Sequence, residues 1–212
     1  MKFCVVITTY TRDDPVHLSI ALDSLLYQDA PPDQIVIVAD GPISENLREI
    51  ITSFLNRFGR ASLLQLPENR GQGYARHQGI RASKYELIAL MDADDVCRPN
   101  RFALSLDAIG IDNNIMLGGA VEEFSETPGD LGRRRIIPTD PVKLKRYQRY
   151  RQPVNNVTLF FNRKLYFKAG GYHTVRHIED WDLIYRMQLV GGTIVNLSDV
   201  LVDVRIGNGM LD

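Results

Sequence analysis

The sequence has almost no net charge, because 25 Lys and Arg residues are balanced by 26 Asp and Glu residues, which leaves a formal charge of -1. This balance excludes a generally basic nucleic-acid-binding protein and an acidic, disordered chain. Only two cysteines are present, Cys4 and Cys97, and their spacing fits neither a metal site nor a disulfide framework. No apolar run approaches the ~18 residues that a membrane span needs, and the first residues lack a secretory pattern. We therefore expect a cytoplasmic protein with no nucleic-acid partner.

The first half of the chain alternates strand-like and helix-like segments. Apolar or β-branched runs at 3–9, 34–39, 61–66 and 86–91 are separated by helical patterns that begin at Pro15, Ser44 and Gln72. Strict alternation predicts an α/β fold in which a mostly parallel sheet is flanked by helices. Ligands of such sheets bind in loops at the carboxyl ends of the strands. The loops after the first, second and fourth strands are therefore where we expect a site.

The second half of the chain predicts a mixed, more irregular arrangement. The predicted elements are strands at 115–121 and 156–161, helices at 141–149 and 179–190, and two short strands within 193–204. Asp140 is the expected cap of the first of these helices. Because the chain has 212 residues and no repeat or low-complexity linker, we predict a single domain, 1–212.

An acidic triplet follows the fourth predicted strand. Asp92, Asp94 and Asp95 lie within four positions, and three carboxylates so close repel one another unless a cation or solvent relieves them. Oxygen ligands at this edge of a sheet suit Mg²⁺ or Mn²⁺ beside a diphosphate. The alternative is an acidic turn that caps the helix beginning near Asn100.

A second acidic group opens the predicted helix at 179–190. Glu179, Asp180 and Asp182 surround the only tryptophan, Trp181. Acidic residues in a first helical turn are favoured by the helix dipole, so capping is one explanation. A carboxylate pair beside a flat aromatic also suits a general base that deprotonates a sugar hydroxyl. Trp181 fits either sugar stacking or core packing.

Three loops carry further polar groups. The loop after the first strand runs through Thr8, Thr9, Tyr10, Thr11, Arg12 and Asp13; Asp40-Gly41 follows the second strand, and a glycine-rich loop spans 69–76. Hydroxyls, an aromatic face and a carboxylate can bind a nucleobase and ribose, although such residues are also common in turns. In the glycine-rich loop, Arg76 occupies the third small position of a dinucleotide fingerprint, which argues against NAD binding. Arg76 is expected to reach a phosphate.

Taken together, these segments resemble the family 2 glycosyltransferases of the GT-A fold. The resemblance rests on Thr8-Thr9-Tyr10, Asp40-Gly41, Asn69-Arg70-Gly71 with Ala75-Arg76, Asp92-Ala93-Asp94-Asp95, Gly170-Gly171-Tyr172 and Glu179-Asp180-Trp181-Asp182-Leu183. It implies a Rossmann-like sheet with a nucleotide-sugar-binding half, 1–97, and an acceptor-binding half, 98–212. It also implies inverting, metal-dependent transfer of a hexosyl group from a nucleotide sugar, expected to be a UDP-sugar. The acceptor would be a saccharide or lipid-linked hydroxyl in bacterial surface polysaccharide synthesis. The alternative is a non-catalytic sugar- or nucleotide-binding module of the same fold.

The resemblance also implies roles for particular residues. The implied donor-binding residues are Thr8, Thr9, Tyr10, Arg12, Asp40, Asn69, Gly71, Arg76, Asp92, Ala93 and Asp94. Asp94 and Asp95 would hold Mn²⁺ or Mg²⁺, and Asp180, supported by Glu179, would be the catalytic base. His177 is a further candidate metal ligand, with a structural histidine as the alternative, and 205–209 resembles a segment near the acceptor.

The sequence departs from the family pattern at three places. Ala39 and Pro42 flank Asp40-Gly41 where an acid and a serine are usual, His77 replaces an asparagine, and Asn156 replaces a histidine.

The balanced total charge conceals a basic segment. Between Arg133 and Arg151 there are eight basic residues and one acid, Asp140. This segment, 133–151, is expected to face either an anionic acceptor, such as a lipid-linked diphosphate, or the inner membrane surface as a peripheral contact. The alternative is a solvated helix and loop.

Overall fold

The first half of the chain folds as predicted. The computed structural model describes residues 1–173 and 178–207. Its first elements are β1 (Phe3–Thr9), α1 (Pro15–Ser24), β2 (Gln34–Ala39), α2 (Glu45–Arg57), β3 (Ala61–Gln65), α3 (Gln72–Ala82) and β4 (Leu87–Asp92). Asp14 caps α1 by accepting the backbone N–H of Val16 at 2.7 Å, and Ser44 caps α2. The polar side chains at these caps fix where the helices begin.

The second half adds a mixed arrangement to the same sheet. Its elements are β5 (Val96–Cys97), α4 (Arg101–Ile109), β6 (Ile115–Phe124), β7 (Arg133–Arg135), α5 (Pro141–Tyr147), β8 (Phe160–Asn162), α6 (Arg163–Lys168), α7 (Glu179–Leu189) and β9 (Thr193–Arg205). The sheet order is β3-β2-β1-β4-β8-β6-β9-β5, with β7 paired to β6. The first four strands pair in parallel, whereas β8 is antiparallel to both β4 and β6.

The parallel register brings three loops to one edge of the sheet. Thr8 lies opposite Asp92, and Thr9 lies opposite Ala39, which precedes Asp40. The carboxyl ends of β1, β2 and β4 are therefore at the same level. This register is what gathers the predicted site residues.

Two apolar layers cover the two faces of the sheet. In β1, Val5 and Ile7 face the layer that contains α1, α2 and α4, whereas Cys4 and Val6 face the layer that contains α3, α6 and α7. The alternation is the period-two pattern of a strand buried on both sides. Cys4 and Cys97 are buried free thiols. No helix within the described residues is both long and apolar enough to cross a membrane.

Several predicted elements were wrong in detail. Residues 156–161 begin with a short 3₁₀ turn (Asn156–Thr158) before β8, because the Thr158 hydroxyl donates to Asn155 O at 2.6 Å and accepts Gly119 N–H at 3.0 Å. The two short strands within 193–204 are one strand, β9, opposite an irregularity in β6 at Gly118–Ala120.

Candidate active site

A cleft of about 500 Å³ lies at the carboxyl ends of β1, β2 and β4. It is lined by Thr8, Thr9, Tyr10, Asp13, Asp40, Asn69, Gly71, Gln72, Asp92, Ala93 and Asp94, and we call it the first cleft. Nine of the eleven predicted donor-binding residues therefore come together here. Arg12 is exposed and lies outside the lining, and Arg76 is buried beside the cleft without lining it.

Asp40 fixes one wall of the first cleft. Its two carboxylate oxygens accept the backbone N–H groups of Arg70 and Gly71, each at 2.9 Å. A Cβ at Gly41 would lie only 2.6 Å from Asn69 N, so only glycine allows the two loops to approach this closely. Asp40 thus shapes the cleft as well as lining it.

Thr9 presents an unused hydroxyl to the same cleft. Its Oγ1 is shielded from solvent and has no hydrogen-bond partner among the described residues. A shielded polar atom without a partner is costly unless a ligand satisfies it. This observation favours a polar ligand in the first cleft.

Arg76 joins the two acidic motifs. Its guanidinium is 2% exposed and donates to Asp92 Oδ1 at 2.5 Å and to Asp180 Oδ1 at 3.0 Å. The Tyr172 hydroxyl donates to the same Asp180 oxygen at 2.9 Å. Asp92 and Asp180 are 88 residues apart in the sequence, and both pair with the buried guanidinium of Arg76. The two acidic motifs therefore form one network around this cation.

Burial and charge set the protonation of this network. Burial opposes the positive charge of Arg76, but Asp92 and Asp180 outweigh it and raise the pKa of the guanidinium, so Arg76 stays charged. Desolvation raises the pKa of Asp180, although Arg76 and the Tyr172 hydroxyl act in the opposite direction. Asp180 thus has a raised pKa and accepts hydrogen bonds from two donors, Arg76 and Tyr172.

Glu179, which precedes Asp180 in the sequence, has one carboxylate oxygen that accepts no hydrogen bond from a described residue. Glu179 Oε2 is shielded from solvent and has no partner among the described residues. Asp182, in contrast, accepts from Arg186 on the same helix at 2.7 Å and lies 3.5 Å from His173. Of the three acids around Trp181, Asp182 is therefore engaged in an ion pair within α7.

The acidic triplet after β4 has three different environments. Asp92 accepts from Arg76 and from Gln72, the latter at 3.0 Å. Asp95 is 3% exposed and accepts Arg205 N–H at 2.9 Å; burial and the charges of Asp92 and Asp94 raise its pKa. Asp94 is exposed as a residue, yet desolvation of its carboxyl group and the charges of Asp92 and Asp13 raise its pKa.

A divalent cation fits Asp94 better than it fits the triplet as a whole. Within 1–173 and 178–207, no group of three or more acids, histidines or cysteines converges on one point. The Asp94 carboxylate accepts no hydrogen bond from another described side chain, and a nearby cation would relieve its repulsion from Asp92. His177 lies outside the described residues, as do 208–209 of the segment expected near the acceptor.

A second cleft, of about 380 Å³, lies beside the same triplet. It is lined by Asp92, Asp94, Asp95, Arg135, Ile137, Tyr147, Arg151, Gln152, Val154, Asn155, Asn156, Val157 and Val204, and we call it the second cleft. Asp92 and Asp94 line both clefts. A reaction between a ligand in each cleft would therefore take place beside these two carboxylates.

Part of the basic segment 133–151 is neutralised by β6. Arg133 pairs with Glu123 and Arg134 pairs with Glu122, because β7 lies antiparallel to β6 with these residues opposite one another. The other six basic residues form no ion pair with a described residue: Arg135, Lys143, Lys145, Arg146, Arg149 and Arg151.

Sequence reasoning missed several residues of the site. Tyr172 was named only as part of the motif Gly170-Gly171-Tyr172, and neither Gln72 nor Gln152 was assigned a role in the site. Gln72 begins α3 and faces Asp92, and Tyr172 follows two glycines of positive φ, Gly170 and Gly171. The only feature of the sequence that pointed to a role of Gln72 in the site was its position at the start of a helix after a glycine-rich loop.

Comparisons with known proteins identify glycosyltransferases as relatives of this chain. A family model described as glycosyl transferase family 2 matches residues 4–171. The amylovoran biosynthesis glycosyltransferase AmsE of Erwinia amylovora is 32% identical over 99% of the chain and 78% of its own length. A UDP-Gal:alpha-D-GlcNAc-diphosphoundecaprenol beta-1,3-galactosyltransferase of Escherichia coli is 32% identical over 96% of the chain and 74% of its own length.

A solved structure supports the fold. The mannosyltransferase PcManGT from Pyrobaculum calidifontis, in complex with GDP-Man and Mn²⁺, superposes with a TM-score of 0.73 at 18% identity. The match covers 99% of this chain but only 58% of that solved chain. At this identity the likeness concerns the fold alone, and it confirms the predicted GT-A arrangement.

Proposed function

The chain belongs to glycosyl transferase family 2, and we propose that it transfers a hexosyl group from a nucleotide sugar to an acceptor hydroxyl with inversion at the anomeric carbon. The observation that carries this proposal is the network in which Arg76 joins Asp180 to Asp92. It puts a candidate base and the acidic triplet at one place, next to a cleft large enough for a nucleotide.

The first cleft suits the donor. Its loops supply hydroxyls, the Tyr10 ring and the unpartnered Thr9 Oγ1. We propose a UDP-sugar as the donor, because the E. coli relative is named for UDP-Gal. The acceptor is proposed to be a saccharide or lipid-linked hydroxyl in bacterial polysaccharide synthesis, since the two relatives are named for amylovoran biosynthesis and for a diphosphoundecaprenol substrate.

A divalent cation, Mn²⁺ or Mg²⁺, is proposed as cofactor. Asp94 would hold it, with Asp95 as the second predicted ligand, although Asp95 is buried and already accepts Arg205 N–H. When bound, the cation would stabilise the negative charge of the departing diphosphate. The solved mannosyltransferase contains Mn²⁺, which supports a metal in this fold without locating it in this chain.

Asp180 is the proposed general base. Arg76 and Tyr172 hold its Oδ1, which leaves the second oxygen, Oδ2, with one long contact of 3.4 Å to Arg76. A carboxylate with a raised pKa accepts a proton from an acceptor hydroxyl more readily than an ordinary one. Direct displacement assisted by a single base leads to inversion, and Glu179 is proposed to support Asp180.

We also propose that the basic segment 133–151 contacts an anionic membrane surface. Its unpaired residues on and after α5, including Lys143, Arg146 and Arg149, are exposed, and so are Val142 and Tyr150, at 78% and 79%. Exposed cations interleaved with apolar side chains suit a peripheral contact with anionic lipids.

Replacing Asp180 by Asn tests the catalytic proposal. Asp180→Asn keeps the hydrogen-bonding shape but removes the base, so transfer should fall by about 10²- to 10⁴-fold. Donor affinity, measured by calorimetry, should stay within a few-fold of the wild type. Asp182→Asn, in the same helical turn but paired with Arg186, is the matched control and should retain transfer.

Near wild-type turnover by Asp180→Asn would reject this residue as the base. Donor binding by the wild type without hydrolysis of the donor or transfer would favour the non-catalytic binding module instead.

A further inference from the structure

The second cleft contains cations that the proposed donor chemistry does not use. Arg135 ends β7, and Arg151 follows α5; both are exposed and line this cleft. Neither pairs with an acid among the described residues, whereas the two preceding arginines of β7 do. The difference follows from the register, because Arg135 lies opposite Val121 and the other two lie opposite glutamates.

The same cleft contains amide groups without partners. Both side-chain polar atoms of Asn156 and the Nε2 of Gln152 are shielded from solvent, and none has a hydrogen-bond partner among the described residues. Shielded amides are costly to leave unpaired, so they indicate ligand groups that donate and accept hydrogen bonds. Sugar hydroxyls do both.

The second cleft is therefore suited to a ligand with two parts. Arginine side chains bind phosphate oxygens through paired N–H groups, and amides bind hydroxyls. Ile137, Tyr147 and Val154 add apolar surface to the lining, against which a sugar ring can pack. Asp92 and Asp94, shared with the first cleft, lie where a ligand of the second cleft would approach the donor.

We propose that the second cleft binds the acceptor as a phosphate- or diphosphate-linked saccharide. Arg135 and Arg151 bind the phosphate oxygens, and Gln152 and Asn156 bind sugar hydroxyls. This inference rests on the proposed transferase function and specifies its acceptor. It differs from a general electrostatic role of the basic segment, because it singles out two of the six unpaired cations.

Two synthetic probes separate the phosphate from the sugar. The first is the hexyl diphosphate ester of α-N-acetylglucosamine, and the second is hexyl α-N-acetylglucosaminide, which lacks the diphosphate. Affinities are measured by calorimetry with UDP and Mg²⁺ present, so that neither probe takes the donor position. The wild type should bind the diphosphate ester at least about tenfold more tightly, as charge-assisted hydrogen bonds predict.

Substitutions then assign the recognition. Arg135→Gln and Arg151→Gln should each weaken binding of the diphosphate ester by about 10- to 100-fold and leave the neutral glycoside unchanged. Asn156→Ala should weaken both probes by a similar factor. Arg149→Gln removes the same charge from the same segment outside either cleft and is the matched control.

Three results would overturn the inference. One is equal wild-type affinity for the two probes; another is a loss with Arg149→Gln as large as with the cleft arginines. The third is a parallel loss of UDP affinity in Arg135→Gln and Arg151→Gln, which would assign these arginines to the donor. Thermal unfolding of each variant verifies that the fold is retained. A wild type that binds no nucleotide sugar would instead reject the proposed function, independently of the probe measurements.

Discussion

At the scale of single residues, Arg76 has the most constrained position in the site. Its charged group is almost wholly buried, and Asp92 and Asp180 supply the compensating charges. Removing one partner of a buried ion pair is strongly destabilising, because the remaining charge stays desolvated. Arg76 therefore stabilises the local fold while it holds the proposed base, and a substitution of Arg76 would combine both losses.

Tyr172 offers a cleaner test of how Asp180 is tuned. The Tyr172 hydroxyl donates to Asp180 and favours the charged carboxylate, so it lowers the pKa of Asp180. Tyr172→Phe should raise that pKa further. Because the base must be deprotonated, the acidic limb of the pH–rate profile should shift to higher pH, and the rate should fall most on the acid side.

The measurement is kcat against pH at saturating substrates. The control is Tyr185→Phe. Tyr185 is exposed and lies on α7, the helix that carries Asp180, so this substitution should leave the profile unchanged. An unshifted acidic limb in Tyr172→Phe would show that the hydroxyl does not tune the base.

At the scale of elements, α3 is held unusually close to the sheet. A Cβ at Gly79 would lie 2.5 Å from Val6 Cγ1 and 2.9 Å from Val38 Cγ2. The same helix carries Arg76, whose contacts with β4 and α7 depend on that distance. Helix packing at Gly79 and the geometry of the site are thus coupled.

Gly79→Ala should destabilise the protein although alanine is the better helix former. The gain in helix propensity is about 1 kcal/mol, whereas overpacking costs typically about 1–3 kcal/mol. We expect a net loss of up to about 2 kcal/mol in the free energy of unfolding in urea, with a drop in transfer rate because Arg76 moves.

Gly73→Ala provides the control within the same helix. The nearest atoms to a Cβ at Gly73 are at 3.4 Å, an ordinary contact, so this substitution should be neutral or stabilising. Equal stability of the two variants would show that α3 adjusts to the added methyl group at Gly79.

The basic residues of β7 and of α5 differ in whether they form ion pairs with acidic residues. Cations of β7 are mostly paired with β6, whereas those of α5 are not. Lys143→Gln, Arg146→Gln and Arg149→Gln together should weaken binding to phosphatidylglycerol-containing vesicles by about 100-fold, at about 1 kcal/mol per charge. Replacing Arg133 and Arg134 by Gln should have a smaller effect in the same sedimentation assay. Unchanged binding of the triple variant would discard the membrane contact.

At the scale of the whole molecule, one continuous sheet joins the two halves. β4 pairs in parallel with β1 and antiparallel with β8, so it is the strand at which the parallel half meets the mixed half. The fully buried Arg101 reinforces this junction by donating to Leu90 O at 2.7 Å and to Val157 O at 2.9 Å. The acidic triplet at the end of β4 consequently lies between the two clefts.

Ligand binding to this junction should be visible in global stability. A donor at 100 times its Kd stabilises by about 2.7 kcal/mol, which in a domain of this size corresponds to about 5–10 °C in Tm. If the metal contributes to donor binding, a UDP-sugar should raise Tm more when Mn²⁺ is present than when it is absent. In Asp94→Asn, the rise in Tm should be the same with and without Mn²⁺. Asp107→Asn, an acid of α4 outside both clefts, is the control. A full shift after thorough chelation would remove the metal from the proposal.

Sequence patterns determined the parallel half of the fold almost to the residue. β1 and β2 have the predicted bounds, because buried parallel strands are continuous apolar runs, and α1 and α2 begin directly after the polar caps Asp14 and Ser44. The gathering of Thr8, Asp40 and Asp94 also followed, since parallel strands end at one edge of the sheet. These features depend on neighbours close in sequence or on one general rule of topology.

Tertiary structure alone decided the remainder. The 3₁₀ turn at Asn156–Thr158 depends on Thr158 contacting Gly119, and the pairing of Arg133 and Arg134 depends on the register of β7 against β6. The sequence singled out Asp180 and the triplet as candidate site residues, but it did not predict that Arg76 and Tyr172 would converge on Asp180. Such contacts join residues far apart in the chain, and only packing of the whole sheet determines which distant side chains meet.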